Sequence, residues 1–289
     1  PAVELVIVNT PTVTHYEYTK KVLQHGKHVV VEKAFVGNAQ EALELQALAE
    51  ERQCKLAVFQ NRRWDSDFLA LRQILDEGVL GDIIEANIGF LRFDPNLSPK
   101  AHKETPSSGS GILMDLGSHV IDQALVLFGM PDTVFADIAI TRPESQVDDY
   151  FDILMHYGDK RVHLKGGYFF KQPLPDFSLF GTKGCFIKTR ADVQEPQLDG
   201  GMKPDDEDYG KEPDDAVGHL YTGDVGETHV REVPSPRGNY MPFYEDLHAS
   251  IVDDQPEPVT AADGVRVMRI IDAAMQSRET GCAIALDRD

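Results

Sequence analysis

Three short apolar runs, separated by two helical patterns, constrain the fold of this chain more than any other feature. The runs cover residues 3–10, 28–35 and 55–63, and each has the continuous apolar character of a strand buried on both faces. The first helical pattern ends at Gly26, which suits the left-handed end of a helix, and the second begins with Asn38 as an N-cap. This alternation predicts a βαβαβ unit with a parallel sheet, which is half of a doubly wound α/β fold.

Beyond about residue 65 the pattern changes to strands with little helix between them. Hairpins are predicted to turn at Gly158-Asp159 and at 181–184, and a third covers 219–233. The other predicted elements are one strand and four helices, at residues 82–93, 66–77, 111–129, 240–254 and 262–280. We therefore divide the chain into residues 1–64, half of a doubly wound domain, and residues 65–289, an α+β domain with a large, mostly antiparallel open sheet.

Charge and composition exclude several functional classes. The formal net charge of −20 disfavours binding to nucleic acid or to an anionic membrane surface. No apolar run reaches the length of a membrane span, and no signal-peptide pattern opens the chain. The cysteines, Cys54, Cys185 and Cys282, are widely spaced and odd in number, which indicates a reducing, cytoplasmic setting. The acidic segment 205–215 lacks calcium-loop spacing and is interpreted as a solvated loop.

Polar residues follow each of the three predicted strands, at 9–15, 32–33 and 60–64. In an open parallel sheet, ligands bind beyond the carboxyl ends of the strands. Lys33 is the most specific candidate among these residues, because it follows the apolar strand and Glu32 directly. A lysine desolvated there could act in proton transfer with a lowered pKa, or it could extend from the strand end to solvent. Its position does not decide between the two.

The apolar helix predicted over 111–129 carries Asp115, His119 and Asp122 on one stripe. Three hypotheses fit this stripe. The three side chains could bind a metal, but no H-E-x-x-H pattern or further His/Cys cluster supports that. They could be a satisfied buried histidine with its helical carboxylates. They could also be a general acid/base pair, in which Asp115 orients His119, with Asp122 holding the other ring nitrogen or a local group. Gly117 inside the helix suggests a close approach of ligand or backbone.

Taken together, four segments of the sequence resemble the Gfo/Idh/MocA oxidoreductases. They are NTPTVTHYEYTKKVLQHGKHVVVEKAF, QNRRWDSDF, GSGILMDLGSHVIDQALVLFGMP and FSLFGTKGCFIK, and the similarity runs in order from residue 3 to about residue 285. Within the family, the chain is most similar to the branch of NADP-dependent scyllo-inositol dehydrogenases. The resemblance implies a partial Rossmann domain followed by an α+β domain. It also implies a metal-free enzyme that uses NADP or NAD to oxidise a hydroxyl of a polyol or sugar, or to reduce the ketone.

The resemblance also implies roles for individual residues. The family's E-K-P lysine corresponds to Lys33, and its D-x-x-x-H pair corresponds to Asp115 and His119, with His119 as the proton donor and acceptor. Trp64 and Asp122 are weaker candidates for substrate contacts. The positions that correspond to the family's dinucleotide-binding residues are Asn9, Thr10, Pro11, His15, Glu32, Lys33, Asn61 and Arg62.

Two features depart from the family's pattern. The proline of the E-K-P motif is Ala34 here, which is expected to loosen the backbone after Lys33. The G-x-G-x-x-G that opens a dinucleotide-binding fold is absent. The chain is therefore expected to enter the sheet at its fourth strand, with roughly 60–80 residues of the complete fold preceding it. Those residues would include the segment that separates NAD from NADP.

Two further expectations concern partners and rival functions. The open sheet is suited to pairing with a second copy, as a homodimer or homotetramer. A non-catalytic sensor of a dinucleotide or sugar on the same fold is the main alternative to an enzyme, because a fold does not determine a function. The presence of Lys33, Asp115 and His119 together favours the enzyme. A metal hydrolase would require activity that a chelator abolishes.

Overall fold

The computed structural model describes residues 3–172 and 174–287, and two β-sheets organise them. The strands are β1 (Leu5–Val8), β2 (His28–Glu32), β3 (Leu56–Phe59), β4 (Ile83–Leu91), β5 (Thr133–Ala139), β6 (Tyr150–Tyr157), β7 (Lys160–Gly167), β8 (Phe177–Gly181), β9 (Gly184–Lys188), β10 (Gly218–Thr222), β11 (His229–Val233) and β12 (Ile284–Ala285). The α-helices are α1 (His15–Gln24), α2 (Ala39–Arg52), α3 (Ser66–Asp76), α4 (Ala101–Glu104), α5 (Ser118–Phe128), α6 (Gln194–Asp199), α7 (Met241–Val252) and α8 (Ala261–Thr280). Within the described residues, no helix is both long and apolar enough to cross a bilayer.

The first sheet is the predicted parallel unit, with strand order β1-β2-β3. Asn38 caps α2 as expected, because its side chain accepts a hydrogen bond of 2.9 Å from the amide of Glu41. The prediction that β1 is buried on both faces is wrong. In the described residues β1 is the outer strand of this sheet, and Ile7 is 54% exposed.

The second sheet has nine strands in the order β11-β10-β9-β8-β4-β7-β6-β5-β12. Only β4 and β7 pair in parallel, so the predicted mostly antiparallel sheet is confirmed. All three predicted hairpins are present, as β6–β7, β8–β9 and β10–β11. The first of them turns at Gly158, whose φ of 60° suits a tight hairpin turn.

The predicted helix over 111–129 divides into a π-helical turn, Leu113–Gly117, and the α-helix α5. A π-turn widens the backbone locally and is frequent at functional sites, so the simple helical stripe predicted for Asp115 does not apply. Gly117 serves packing instead of a ligand: a Cβ at this position would come within 2.8 Å of Leu113 and 3.4 Å of Phe151.

The long helix α8 joins the two sheets. The segment before it forms a bridge between Thr260 and Ala57 of β3, and the amide of Val58 donates to the carbonyl of Val259 at 3.1 Å. Helix α8 then packs against α2, α5 and β5. A capping box between Thr260 and Asp263 determines where α8 starts. The carboxyl ends of β1, β2 and β3 are therefore held at a fixed distance from α5.

The acidic segment 205–215 is only partly the solvated loop that was predicted. Asp208 is exposed, but Tyr209 is buried. Glu212 accepts a hydrogen bond of 2.7 Å from the ammonium group of Lys188, which is itself buried. Part of the acidic excess therefore neutralises a lysine inside the fold.

Candidate active site

A cleft of about 510 Å³ lies where the carboxyl ends of the parallel strands face α5. A smaller cleft of about 170 Å³ shares Asn9, Glu32 and Lys33 with it. The structure therefore brings together eight of the residues predicted for the site, namely Asn9, Thr10, Pro11, Glu32, Lys33, Asn61, Asp115 and His119, which line one or both clefts.

The ammonium group of Lys33 is bound to the π-helical turn. It donates to the Oδ1 atom of Asp115 at 2.7 Å and to the backbone carbonyl of Asp115 at 2.8 Å. A second ammonium group, from Lys103 on α4, donates to Oδ2 of Asp115 at 2.6 Å. Sequence reasoning missed Lys103, because it lies in a short helix within a loop and belongs to no periodic pattern. One carboxylate is thus held between two cations.

These contacts determine the charge of Asp115. Burial by itself raises the pKa of this carboxyl group, but the ammonium groups of Lys33 and Lys103 outweigh burial and hold the pKa below its usual range. Burial also raises the pKa of the nearby Glu32, and the positive charge of Lys33 opposes that rise. Asp115 is therefore ionised at neutral pH and keeps Lys33 in place.

His119 lies on α5, one turn beyond Asp115, and it is buried. The expectation that Asp115 orients its ring is wrong, because no hydrogen bond joins Asp115 to the Nδ1 atom of His119, and the carboxylate binds Lys33 and Lys103 instead. The Nδ1 atom of His119 is buried and has no hydrogen-bond partner among the described residues. Burial lowers the pKa of His119 well below its usual value, and the charges of Lys33 and Arg62 lower it further. The imidazole is therefore neutral at pH 7 and available as a base.

Asp122 does not share the site. Its two oxygens accept hydrogen bonds of 2.8 Å and 2.6 Å from the guanidinium group of Arg63. This pair lines a separate cavity, near Tyr157 and Lys160. The predictions that Asp122 contacts substrate or holds the ring of His119 are therefore wrong. A simple helical count had placed Asp122 on one stripe with Asp115 and His119. The π-turn changes that count at Asp115, and Arg63 binds Asp122 beside a separate cavity.

Arg62 and Trp64 also lie outside the cleft. Arg62 is buried, and it donates to Asp192 at 2.7 Å and to Asp65 at 3.1 Å. Trp64 packs its ring edge-on against Phe243, with 5.7 Å between the centroids. Neither residue is among those that line the two clefts. The structure therefore gives both residues other roles than the predicted ligand contacts. Arg62 forms ion pairs with Asp65 and Asp192, and Trp64 packs against Phe243.

The sequence predicted that His15 lines the dinucleotide site, but His15 lines neither cleft and supports the strand ends from behind. Its buried ring contacts the carbonyl oxygens of Thr10 at 2.7 Å, Ala34 at 3.2 Å and Phe35 at 3.1 Å. The Lys33–Ala34 peptide bond is cis. The expected loosening at Ala34 is wrong, because Ala34 is buried and its carbonyl and that of Phe35 both contact the buried ring of His15.

An aromatic wall completes the cleft, and sequence reasoning missed it. Phe59, Met241 and Tyr244 line the cleft together with the buried Tyr240. The rings of Phe59 and Tyr244 lie 5.7 Å apart. Phe59 ends β3, and Tyr240 and Tyr244 are four residues apart at the start of α7, so the helical spacing was the available signal.

The residues present fit the nicotinamide end of a dinucleotide. A flat ring requires an apolar wall, which Phe59 and Tyr244 provide, and hydrogen-bonding groups at its edge, which Asn9 and Asn61 provide. The cleft volume of about 510 Å³ is in the range of small-ligand sites. Across residues 3–172 and 174–287, no group of three or more His, Cys, Asp or Glu side chains is placed to hold a metal ion.

Comparison with known protein families agrees with a site for a nicotinamide dinucleotide. Residues 1–60 match the model of an oxidoreductase family described as its NAD-binding Rossmann fold, and residues 72–286 match the C-terminal alpha/beta domain of the same family. The fold and the cleft therefore define a nicotinamide-dependent type of oxidoreductase. The chain belongs to the Gfo/Idh/MocA family.

Several relatives match nearly the whole chain. The scyllo-inositol 2-dehydrogenase (NADP(+)) IolW of Bacillus subtilis is 38% identical over 99% of this chain and 80% of its own length. The uncharacterized oxidoreductase YdgJ of Escherichia coli is 36% identical over 99% of this chain and 82% of its own length. The solved structure of the oxidoreductase yvaA from Bacillus subtilis has a TM-score of 0.93 at 38% identity, covering 99% of this chain and 81% of that one.

We predict that His119 stays neutral at pH 6.5, because its folded-state pKa is lowered well below 6.5. NMR spectra of protein with ¹⁵N-labelled histidine, assigned with a His119→Asn variant, will follow its ring from pH 8 to pH 5. The unfolded chain binds this proton first as pH falls, so wild-type protein should lose stability relative to the variant below about pH 6.5. A ring that titrates at pH 6.5 or above would contradict the assignment of His119 as a neutral base.

Proposed function

We propose that this protein is an NADP- or NAD-dependent dehydrogenase that oxidises a hydroxyl group of a cyclitol or sugar, or reduces the corresponding ketone. The observation that carries the proposal is the convergence of Lys33, held by Asp115, and the neutral His119 on a cleft with an aromatic wall. The relative named as an NADP-dependent scyllo-inositol dehydrogenase supports an inositol-like substrate and favours NADP.

A bound nicotinamide would supply the hydride acceptor, beside Asn9, Asn61 and the aromatic wall. The protein's own residues handle the proton. His119 is neutral and takes the proton of the reacting hydroxyl. Lys33 keeps one N–H group free after its two bonds to Asp115, and it donates that group to the same oxygen. Asp115 orients Lys33 and does not itself exchange the proton, because its pKa is held low.

We predict that His119→Asn lowers kcat for polyol oxidation by about 10²–10⁴-fold, because a positioned base typically contributes that much. The assay follows reduction of NADP or NAD with scyllo-inositol, other inositols and aldoses as substrates. His229→Asn is the matched control, because His229 is on β11 and its side chain is 71% exposed. If His119→Asn turned over every active substrate as fast as wild type, His119 would not be the base.

The same assay separates the enzyme from a sensor. A sensor would bind dinucleotide or sugar without turnover, so binding by calorimetry combined with the absence of NADP or NAD reduction would favour it. Activity that a chelator abolishes would support a metal hydrolase instead.

We also propose that the protein works in the reducing cytoplasm. This proposal is supported by its cysteines, because Cys54, Cys185 and Cys282 are all free.

We also propose that two copies pair through the outer face of the nine-stranded sheet. Exposed Phe135, Phe180 and Val230 lie on this face, with Leu154 and Ile187 between them. Apolar side chains spread over one open sheet face are typical of a surface that binds a second copy. Both a homodimer and a homotetramer built from such pairs satisfy this arrangement.

For this interface we predict that the wild-type protein has at least twice the mass of one chain in solution. Combining Phe135→Glu with Phe180→Glu should shift it toward monomers, because charges would be buried without partners. Light scattering after gel filtration measures both. Val252→Glu is the control, because Val252 is exposed at the end of α7, away from the sheet. A monomeric wild type, or a double variant of unchanged mass, would contradict the pairing.

A further inference from the structure

Lys103 approaches the active-site carboxylate from the side opposite to Lys33. Its ammonium group lies 2.6 Å from Oδ2 of Asp115, whereas Lys33 binds Oδ1 at 2.7 Å. The side chain of Lys103 is 36% exposed and lines the smaller cleft together with Lys33 and Asp115. The two clefts meet at Lys33, so a substrate that binds Lys33 beside His119 in the larger cleft can extend a second group toward Lys103 in the smaller one.

The position of Lys103 is built by buried contacts. The next residue, Glu104, accepts a hydrogen bond of 3.0 Å from Arg142, whose side chain is buried. Arg142 also donates to Asp149 at 2.9 Å and to the carbonyl of Asn96 at 2.8 Å. These bonds attach the loop that carries α4 to the connection between β5 and β6. Lys103 is consequently not a freely moving surface lysine.

The unused hydrogen-bond donors in this cluster define a pattern. An ammonium group has three N–H donors. Lys33 uses two of them on Asp115, and Lys103 uses one. The cleft therefore presents N–H donors on both sides of one carboxylate, whose oxygens retain acceptor capacity. Free N–H groups on Lys33 and Lys103 suit two hydroxyl groups on neighbouring carbons, one hydroxyl for each ammonium group. A single hydroxyl would leave one of the two ammonium groups without a substrate contact.

We propose that Lys103 is a specificity-determining residue that donates a hydrogen bond to the hydroxyl next to the one being oxidised. The substrate class is thereby narrowed to compounds with a vicinal diol at the reacting carbon. This inference rests on the proposed polyol dehydrogenase function. Lys33 and His119 act on the reacting hydroxyl, and Lys103 recognises its neighbour.

The test compares an inositol with its monodeoxy analogue, which lacks the neighbouring hydroxyl, in wild type, Lys103→Met and Lys103→Gln. In wild type, loss of that hydroxyl should lower kcat/KM by about tenfold to a hundredfold, as expected for a hydrogen bond to a charged group. In both variants the two compounds should react almost equally well. Losing the charge beside Asp115 affects both compounds alike, so the ratio between them reports the contact itself.

A second readout does not depend on turnover. Calorimetry in a His119→Asn background measures the Kd of both compounds with and without Lys103→Met, and it should show the same loss of discrimination. Lys103→Arg should retain part of the discrimination, because it keeps a donor and a charge. Unchanged discrimination in the Lys103 variants, with wild type active, would overturn this inference alone. A wild type that oxidises no polyol would overturn the proposed function, and this inference with it.

Discussion

The ion pair between Lys33 and Asp115 is the constraint on which the rest of the site depends. It connects the end of β2, in the parallel sheet, to the π-helical turn before α5. Both side chains remain about one-fifth exposed, at 21% and 20%, so the pair contributes less to stability than to geometry. Because Asp115 binds Lys33, the lysine's remaining N–H group and the ring of His119 share one cleft. Contacts of the buried His15 ring with the Thr10 and Ala34 carbonyls keep the strand ends in place beside this pair.

The distribution of charge explains how a chain of net charge −20 keeps a neutral histidine at its centre. The guanidinium groups of Arg62 and Arg190 are close enough to His119 to act on its charge. Arg190 lies 4.5 Å from the ring centroids of both Phe90 and Phe177, and Arg62 lies 4.9 Å from that of Phe90. Their positive charges, together with burial and Lys33, oppose protonation of the imidazole. The carboxylates of Asp65 and Asp192 neutralise Arg62, so this cation persists inside the fold.

Much of the fold could be predicted from the sequence, because periodicity and turn residues act locally. The βαβαβ unit, the three hairpins and the cap at Asn38 are local patterns, and all are confirmed. The site could be predicted only in part. Asp122 shares its helix with His119, but its partner Arg63 is 59 residues away in sequence, and no periodicity reveals that pairing. Lys103 was missed for the same reason, because only the fold of its loop brings it to Asp115. The apolar run of β1 predicted burial on both faces. It does not reveal whether other residues cover this strand, so the exposure of Ile7 could not be predicted.

The most direct test of the account is a crystal structure of the protein with NADP and an inositol. The account predicts that the reacting hydroxyl lies about 3 Å from both the His119 ring and the Nζ atom of Lys33, as a general base and a donor require. It also predicts that the carbon bearing this hydroxyl faces the nicotinamide, with Phe59 and Tyr244 beside the ring. An inositol bound elsewhere, or one whose hydroxyls contact only Arg63 and Asp122, would contradict the assignment of this cleft as the active site.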